Sequence, residues 1–456
     1  MADLKPAPRA FFTTLGCARN ETDSEHLAGR VAADGFTVVD DAGLADVIIV
    51  NTCGFIEPAK KDSIDALLAA STGGNPGAKV VAVGCLAQRY GDELDAALPE
   101  VDAVLGFDTY PVIGERLREV LAGGRPQPHT AATSRTVTAA TDAGPRQRLE
   151  TGPCAPLKIA SGCDRRCAFC AIPAIRGPYQ SRPAADIVAE ARWLVSQGVR
   201  EVMLVSENST SYGKDFGQPQ ALEALLGALA GVDGLDWVRV SYLQPAEIRP
   251  SLLATMASTG NVVPYFDLSF QHASGPLLKR MRRFGDADAF LGLLAKVREL
   301  SPQAGVRSSF IVGFPGETED DLATLHGFLQ AARPDAIGVF GYSDEEGTQA
   351  AKLDGHLPQD VVDARFSATL DLATWVTEAR AAERVGEQIQ VLVESVDDEG
   401  VAGRAAHQGP EVDGITTLTW PAGADKPNVG DMVWARVTST EGVDLIAKPT
   451  AIAVKP

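Results

Sequence analysis

The chain reads as an α/β protein in three parts: an N-terminal parallel α/β domain, a central partial barrel of six βα units, and a small C-terminal β-barrel. Three observations predict this. Short apolar runs at 10–15, 47–50 and 80–83 are separated by helical stretches such as 23–33 and 57–70, the alternation expected of a parallel sheet. From residue 157 onward, six further strand-like runs alternate with helical patterns. The last part, about seventy residues, holds only short strand-like runs between Gly and Asp turns.

Each of the first three runs ends on a cysteine: Leu-Gly-Cys17, Asn-Thr-Cys53 and Val-Gly-Cys85. In open α/β sheets the carboxyl ends of the strands form the ligand-binding edge. Cys17, Cys53 and Cys85 are therefore predicted to meet there as a three-thiol metal site. The plainer alternative is three buried strand-end cysteines, a common fate of this residue.

Residues 123–153 are rich in Gly, Pro, Ala and Thr and read as a linker between domains 1–122 and 154–385. Cys154, at the end of that tract, reads as a free or packing cysteine. In the second domain the expected strands are 157–160, 201–205, 237–241, 265–269, 307–312 and 336–340, with helices including 183–197, 221–229 and 289–300. Reacting groups in such a barrel belong at the C-terminal strand ends. In the third domain, 386–456, the expected strands are 389–394, 414–419, 431–438 and 445–447. It carries 5 Lys and Arg against 11 Asp and Glu, a balance of −6.

Directly after the first expected barrel strand comes Ser-Gly-Cys163-Asp-Arg-Arg-Cys167-Ala-Phe-Cys170. The gaps are uneven and no fourth cysteine follows closely. Structural zinc sites complete a tetrahedron with four protein ligands. Either a ligand far off in sequence completes a structural zinc or an ordinary cluster, or three thiolates on a four-iron cluster leave one iron open to a ligand that is not protein.

Composition narrows the setting. A chain of 456 residues, 45% hydrophobic and 22% charged, suits two to four soluble globular domains. Residues 1–10 lack the apolar stretch of a secretory signal, and no run reaches the length that spans a bilayer. Seven cysteines without such a signal suggest reduced thiols, metal ligation and a cytoplasmic location. The net charge of −19 is a poor global field for nucleic acid and favours a basic protein partner.

With both cysteine triplets in hand, the chain resembles the methylthiotransferase family of radical S-adenosylmethionine (SAM) enzymes, which join an N-terminal cluster domain, a radical SAM barrel and a C-terminal TRAM domain. The matching words are Cys17-Ala-Arg-Asn with Asp23-Ser-Glu25, Asn51-Thr-Cys53-Gly-Phe-Ile, Gly84-Cys85-Leu-Ala-Gln88, Cys163 to Arg176-Gly177, Ser181-Arg182, Gln271-His272-Ala-Ser274 and Phe310-Ile-Val-Gly-Phe-Pro-Gly-Glu317.

The resemblance implies two 4Fe–4S clusters, one on Cys17, Cys53 and Cys85 and one on Cys163, Cys167 and Cys170, together with SAM. It implies cofactor contacts at Phe169, Glu207, Gly313 and Gly316, and no catalytic acid or base side chain. In the implied scheme one cluster reduces SAM to an adenosyl radical that takes hydrogen from the substrate carbon, and the other presents a methylated sulfur to it. The hard chemistry belongs to the cofactors.

One branch of the family modifies an aspartate of ribosomal protein S12, the other an adenosine of tRNA. Cys53-Gly-Phe-Ile-Glu-Pro-Ala-Lys and Tyr342-Ser-Asp-Glu-Glu-Gly-Thr348 resemble the S12 branch, and an acidic C-terminal barrel suits a basic protein better than a polyanion. The Glu345-Glu346 word thus points to the protein branch. An electron donor, a sulfur source and S12, free or in the small subunit, are the implied partners. Neither a membrane nor nucleic acid is expected as one. Val205-Ser-Glu-Asn208 departs from the usual wording around Glu207. His272, Arg176 and Arg182 have either a lining role or a structural, charge-balancing one.

Overall fold

The computed structural model describes residues 6–130, 144–398, 400–410, 413–421 and 423–452. Residues 1–5 of the N-terminal stretch and 131–143 of the expected linker lie outside the described residues.

In the first domain the elements run β1 (Arg9–Thr14), α1 (Ala18–Ala33), β2 (Thr37–Val38), β3 (Val47–Thr52), α2 (Glu57–Gly73), β4 (Lys79–Gly84), α3 (Cys85–Ala97), β5 (Ala103–Val104) and α4 (Ile113–Leu121). The strands form one parallel sheet in the order β2-β1-β3-β4-β5. Strand β3 is buried throughout because helices cover both faces, which is why it reads as an unbroken apolar run. Val47 and Ile49 pack with Leu27 and Leu117 of α1 and α4, while Ile48 and Val50 pack with Leu67 and Leu86 of α2 and α3. The edge strands β2 and β5 are two residues each, too short to carry any periodicity.

Helix α1 starts five residues before the expected one. Its first turns bury Asn20, Thr22, Asp23, Ser24, Glu25 and His26. A helix that buries polar groups against a partner lacks the apolar stripe by which helices are recognised.

The central domain continues with β6 (Cys154–Lys158), β7 (Ala160–Ser161), α5 (Ile172–Arg176), β8 (Gln180–Ser181), α6 (Ala184–Ser196), β9 (Glu201–Val205), α7 (Ala221–Ala230) and β10 (Trp237–Val240). Then come α8 (Pro250–Ser258), β11 (Tyr265–Asp267), α9 (Gly275–Arg280), α10 (Ala287–Leu300), β12 (Gly305–Val312), α11 (Glu319–Ala332), β13 (Ala336–Gly341) and α12 (Gln359–Glu383). Six of these strands run parallel, in the order β10-β9-β6 and β11-β12-β13. Parallel bridges Val238–Val262 and Leu243–Leu268 join the two sets into one curved, incomplete barrel. The first strand begins at Cys154, earlier than expected, and that thiol lies among Glu201 and Arg404, with burial pushing its pKa up.

The C-terminal domain is a closed five-stranded barrel of β14 (Gln388–Val396), β15 (Val401–Ala405), β16 (Thr416–Leu418), β17 (Met432–Glu441) and β18 (Asp444–Ile452). Strand β15 was not expected from its sequence, Val-Ala-Gly-Arg-Ala. Gly403 sits so close to β14 that a Cβ would lie 1.9 Å from the Leu392 carbonyl oxygen, and Gly-containing strands give a weak signal.

This barrel is fastened to the central one by buried charge. Glu201, fully buried at the start of β9, accepts from Arg239 Nε at 2.6 Å and from Arg404 Nη2 at 2.7 Å. Asp413 accepts from Arg307 at 3.1 Å and from the Tyr265 hydroxyl. Breaking such a buried pair costs about 3–5 kcal/mol. These contacts lie at the N-terminal end of the central strands and leave the opposite end to the first domain.

Candidate metal and cofactor centre

Sheet order 2-1-3-4-5 reverses direction between β1 and β3, and the crevice at such a switch point is where ligands bind. Cys17 follows β1 as the residue capping α1, Cys53 follows β3, and Cys85 opens α3 directly after β4. All three strand-end cysteines lie at this edge of the sheet. Gly16, at φ +101°, brings the chain so close to Cys53 that a Cβ there would lie 3.1 Å from its Sγ. Asn20 Oδ1 lies 3.8 Å from the Cys85 Sγ, and Arg176 Nη2 lies 3.4 Å from the same sulfur.

Arg176 comes from the other domain, at the end of α5 just beyond the second cysteine run. It also donates to Asp23 Oδ2 at 3.0 Å and Asn20 Oδ1 at 2.8 Å, and lies 5.1 Å above the Phe107 ring. Asp23 is shared with Lys158, so a buried charge cluster holds the two domains together beneath the thiols. Burial raises the Cys17 thiol pKa, but Arg19 and Arg176 more than offset it and leave this pKa below its ordinary value. Cys85 is pushed up to about 11 by burial, which Arg176 only partly offsets. Cys53 is raised by burial as well.

The second triplet is held by one loop. Ala168 N donates to Met281 O at 3.0 Å, and the Ala350 N donates to Ala168 O at 2.8 Å, which ties the loop to α9 and to the segment after β13. Arg283 Nη1 lies 3.6 Å from the Cys167 Sγ. Burial pushes Cys163 up to about 11 and Cys170 up to about 12. Phe169 is half-buried against the central core.

Between the triplets lies Glu207, at the end of β9. Its side chain is 3% exposed, yet neither oxygen has a hydrogen-bond partner. The nearest cations are Arg176 Nε at 3.5 Å and Arg19 Nε at 3.8 Å. A buried carboxylate without hydrogen bonds is costly, and such a group marks a place where a donor from a cofactor fits. Arg19 also stacks 4.7 Å from the Tyr242 ring and donates to Ser206 O at 3.3 Å.

Among the described residues no three His, Cys, Asp or Glu side chains converge on a single-ion site. Cluster ligands do not need to: a four-iron cube spreads its sulfurs over its corners. The donor chemistry fits such groups, with three thiols at each place, a guanidinium beside each set, and an unsatisfied carboxylate between them.

Other expected residues take structural places. Gly313 and Gly316 have φ of +77° and +85° in the turn after β12. A Cβ on them would meet the Val362 side chain at 2.8 Å and Arg280 Nε at 2.7 Å, so close packing is one reason for glycine there. His272 is a core residue, with Nδ1 accepting from Ser274 N at 3.0 Å and Nε2 3.3 Å from Glu317. Arg182 donates to Lys158 O and Glu190, away from both triplets.

Glu345 lies at the domain interface: 3% exposed, it pairs with Lys60 and Arg89 of the first domain, each at 2.8 Å. Arg89 also donates to Gly54 O at 3.0 Å, next to Cys53, and to Glu346 O at 2.8 Å. The acidic word is a latch between domains. Arg19 and Lys60 stood in quoted words without a role, and Arg89 and Arg283 were not singled out, since surface and latch cations look alike in a string of letters.

Comparison with known proteins places this geometry. Residues 9–106 match the uncharacterized protein family UPF0004, 157–329 the radical SAM superfamily, and 385–449 the TRAM domain. Among solved structures, the radical S-adenosylmethionine methyltransferase TsrM from Kitasatospora setae shares the fold with a TM-score of 0.52 at 14% identity, over 74% of this chain and 75% of that one. The cobalamin-dependent S-adenosylmethionine radical enzyme OxsB aligns with a TM-score of 0.51 at 11% identity, over 80% of this chain and 56% of its own.

Curated relatives are much nearer in sequence. Ribosomal protein uS12 methylthiotransferase RimO of Cutibacterium acnes is 55% identical, covering 96% of this chain and 97% of its own. Its counterpart in Nocardioides sp. is 56% identical over 98% and 99%, and that of Kineococcus radiotolerans 56% over 96% of each. With these identities over nearly the whole length, the chain belongs to the ribosomal protein uS12 methylthiotransferases, a family of radical SAM enzymes.

Proposed function

We propose that this enzyme adds a methylthio group to the β-carbon of an aspartate in ribosomal protein S12, with the cluster ligands being Cys17, Cys53 and Cys85 at one site and Cys163, Cys167 and Cys170 at the other. The observation that supports the reading is Arg176, which crosses the domain interface from just beyond the second cysteine run to lie 3.4 Å from the Cys85 Sγ and 3.5 Å from Glu207. When bound, two 4Fe–4S clusters and SAM supply the radical and the methylated sulfur that no side chain provides.

The chain's own residues hold and orient. Arg176 and Arg19 hold the Cys17 thiol below its ordinary pKa, Arg283 sets a guanidinium 3.6 Å from the Cys167 Sγ, and Glu207 offers two free acceptors to the SAM ammonium. Phe169 shapes the second loop, while the turn of Gly313 and Gly316 lets backbone approach the adenosyl group. An electron donor and a sulfur source complete the set of partners, and a cytoplasmic setting suits reduced thiols. Among the described residues no helix is long and apolar enough to cross a membrane.

The test is anaerobic reconstitution, an iron count, and incubation with SAM, sulfide and either S12 or unmodified tRNA, read by mass spectrometry. About eight irons per chain and a methylthio gain on S12 are expected. Gain on tRNA alone, or a zinc-only protein that leaves SAM intact, overturns the reading.

A further inference from the structure

On a chain of net charge −19, five cations gather at one place. Arg165, Arg166, Lys279, Arg282 and Arg283, with Phe284, line an open hollow of about 460 Å³. No acidic side chain lines it. Arg165 is tied to Glu247 and Arg283 is turned inward to Cys167, but Arg166, Lys279 and Arg282 are exposed and make no ion pair among the described residues. Phe284, 72% exposed, is the most exposed large apolar side chain described.

The hollow abuts the second cysteine triplet. Arg165 and Arg166 stand between Cys163 and Cys167, and the Ala168 N–H donates to Met281 O, in the turn that presents Arg282 to Phe284. That turn is strained. Arg282 holds φ +58° just past the end of α9, where glycine is the usual residue.

We propose that this hollow is the docking surface for a small acidic one-electron carrier protein, which delivers its electron to the cluster held by Cys163, Cys167 and Cys170. The proposal rests on that cluster assignment. In the step the carrier is oxidised by one electron and the cluster reduced by one, and no bond to the protein forms or breaks. Charge complementarity selects the partner. A cationic rim around one exposed aromatic suits a brief, salt-sensitive encounter of the kind electron carriers make. S12, a basic protein, is repelled here. A polynucleotide needs a longer track of cations to neutralise its phosphates, and outside these five the chain carries −24.

The probe is a bacterial flavodoxin, an acidic flavin carrier, reduced to its hydroquinone. With the reconstituted enzyme at low ionic strength, titration calorimetry measures its binding and stopped-flow absorbance follows bleaching of the cluster. The triple charge reversal Arg166→Glu, Lys279→Glu and Arg282→Glu is expected to weaken binding and slow bleaching about tenfold or more, and to flatten the dependence of rate on salt. Reduction by photochemically generated neutral deazaflavin radical should stay unchanged, as should the iron content. The milder Arg282→Gly, which suits the left-handed backbone, should slow the carrier about two- to threefold without harming the fold.

Unchanged carrier binding and kinetics in variants with an intact cluster overturn the docking site. So does a variant that loses affinity for a small-subunit rRNA fragment while the carrier reduces it normally. A protein that keeps its full iron after Cys163, Cys167 and Cys170 are replaced by Ala overturns the cluster assignment instead.

Discussion

The two cysteine triplets reach similar donor sets by opposite routes. Cys163, Cys167 and Cys170 sit within eight residues on one loop, so their proximity is covalent and survives any error in the surrounding fold. Cys17, Cys53 and Cys85 come from three separate strand ends, and only the sheet brings them together. The electrostatics differ in parallel. Burial dominates at the loop, where Cys163 and Cys170 are pushed up to about 11 and 12. At the strand ends Arg19 and Arg176 drive Cys17 the other way. A site assembled across the sheet thus relies on cations delivered by its surroundings, one of them from another domain.

The sharpest way to break this comparison is to remove one triplet. Replacing Cys17, Cys53 and Cys85 by Ala should abolish methylthio transfer and about halve the iron content, while SAM cleavage at the loop site continues in part. Complete loss of cleavage in a folded variant that keeps the loop cluster would break the division of labour.

Next in size is Arg176→Gln. It leaves Asp23 and Cys85 without their shared guanidinium, and unfolding by denaturant should show a loss of about 3–5 kcal/mol. Iron should be lost first from the strand-end site, with Arg176→Lys restoring part of it. Equal loss of iron from both sites would show that Arg176 serves the interface alone.

Smaller is Glu345→Gln, which removes the carboxylate that Lys60 and Arg89 share. A stability loss of about 1–3 kcal/mol is expected, together with a fall in transfer relative to SAM cleavage. If the two activities fall in step, the latch does not align the domains for transfer.

The finest distinction is in thiol reactivity of the cluster-free protein. Cys17, below its ordinary pKa, should be alkylated by iodoacetamide at a lower pH than Cys163 or Cys170, because only the thiolate reacts. Peptide mass spectrometry across pH 7 to about 11 reads the order of labelling. Cys163 reacting first would contradict the role given to Arg19 and Arg176.

Legibility in the sequence followed burial pattern. Fully covered parallel strands such as β3 and β4 stood out as apolar runs, and the three-part architecture followed from how those runs alternate. The start of α1 did not stand out, because Asp23, Glu25 and His26 are buried against Lys158, Arg146 and Glu190 of the linker and the central domain rather than exposed as a polar face. Strand β15 was hidden by Gly403. Glu345 was legible as an acidic residue but not as a paired one: its partners at 60 and 89 are more than two hundred residues away.

By itself the sequence determined what depends on neighbours along the chain or on a general rule of topology. The loop triplet is local, and the strand-end triplet follows because parallel sheets gather their strand ends at one edge. Tertiary structure alone decided which charges face those thiols. Arg176 reaching Cys85, Glu207 left between two arginines, Glu345 spent on a latch and the cations at 166, 279 and 282 left free all depend on how domains dock. Docking is set by the summed fit of surfaces far apart in sequence, and a salt bridge across it has no signature in either segment alone.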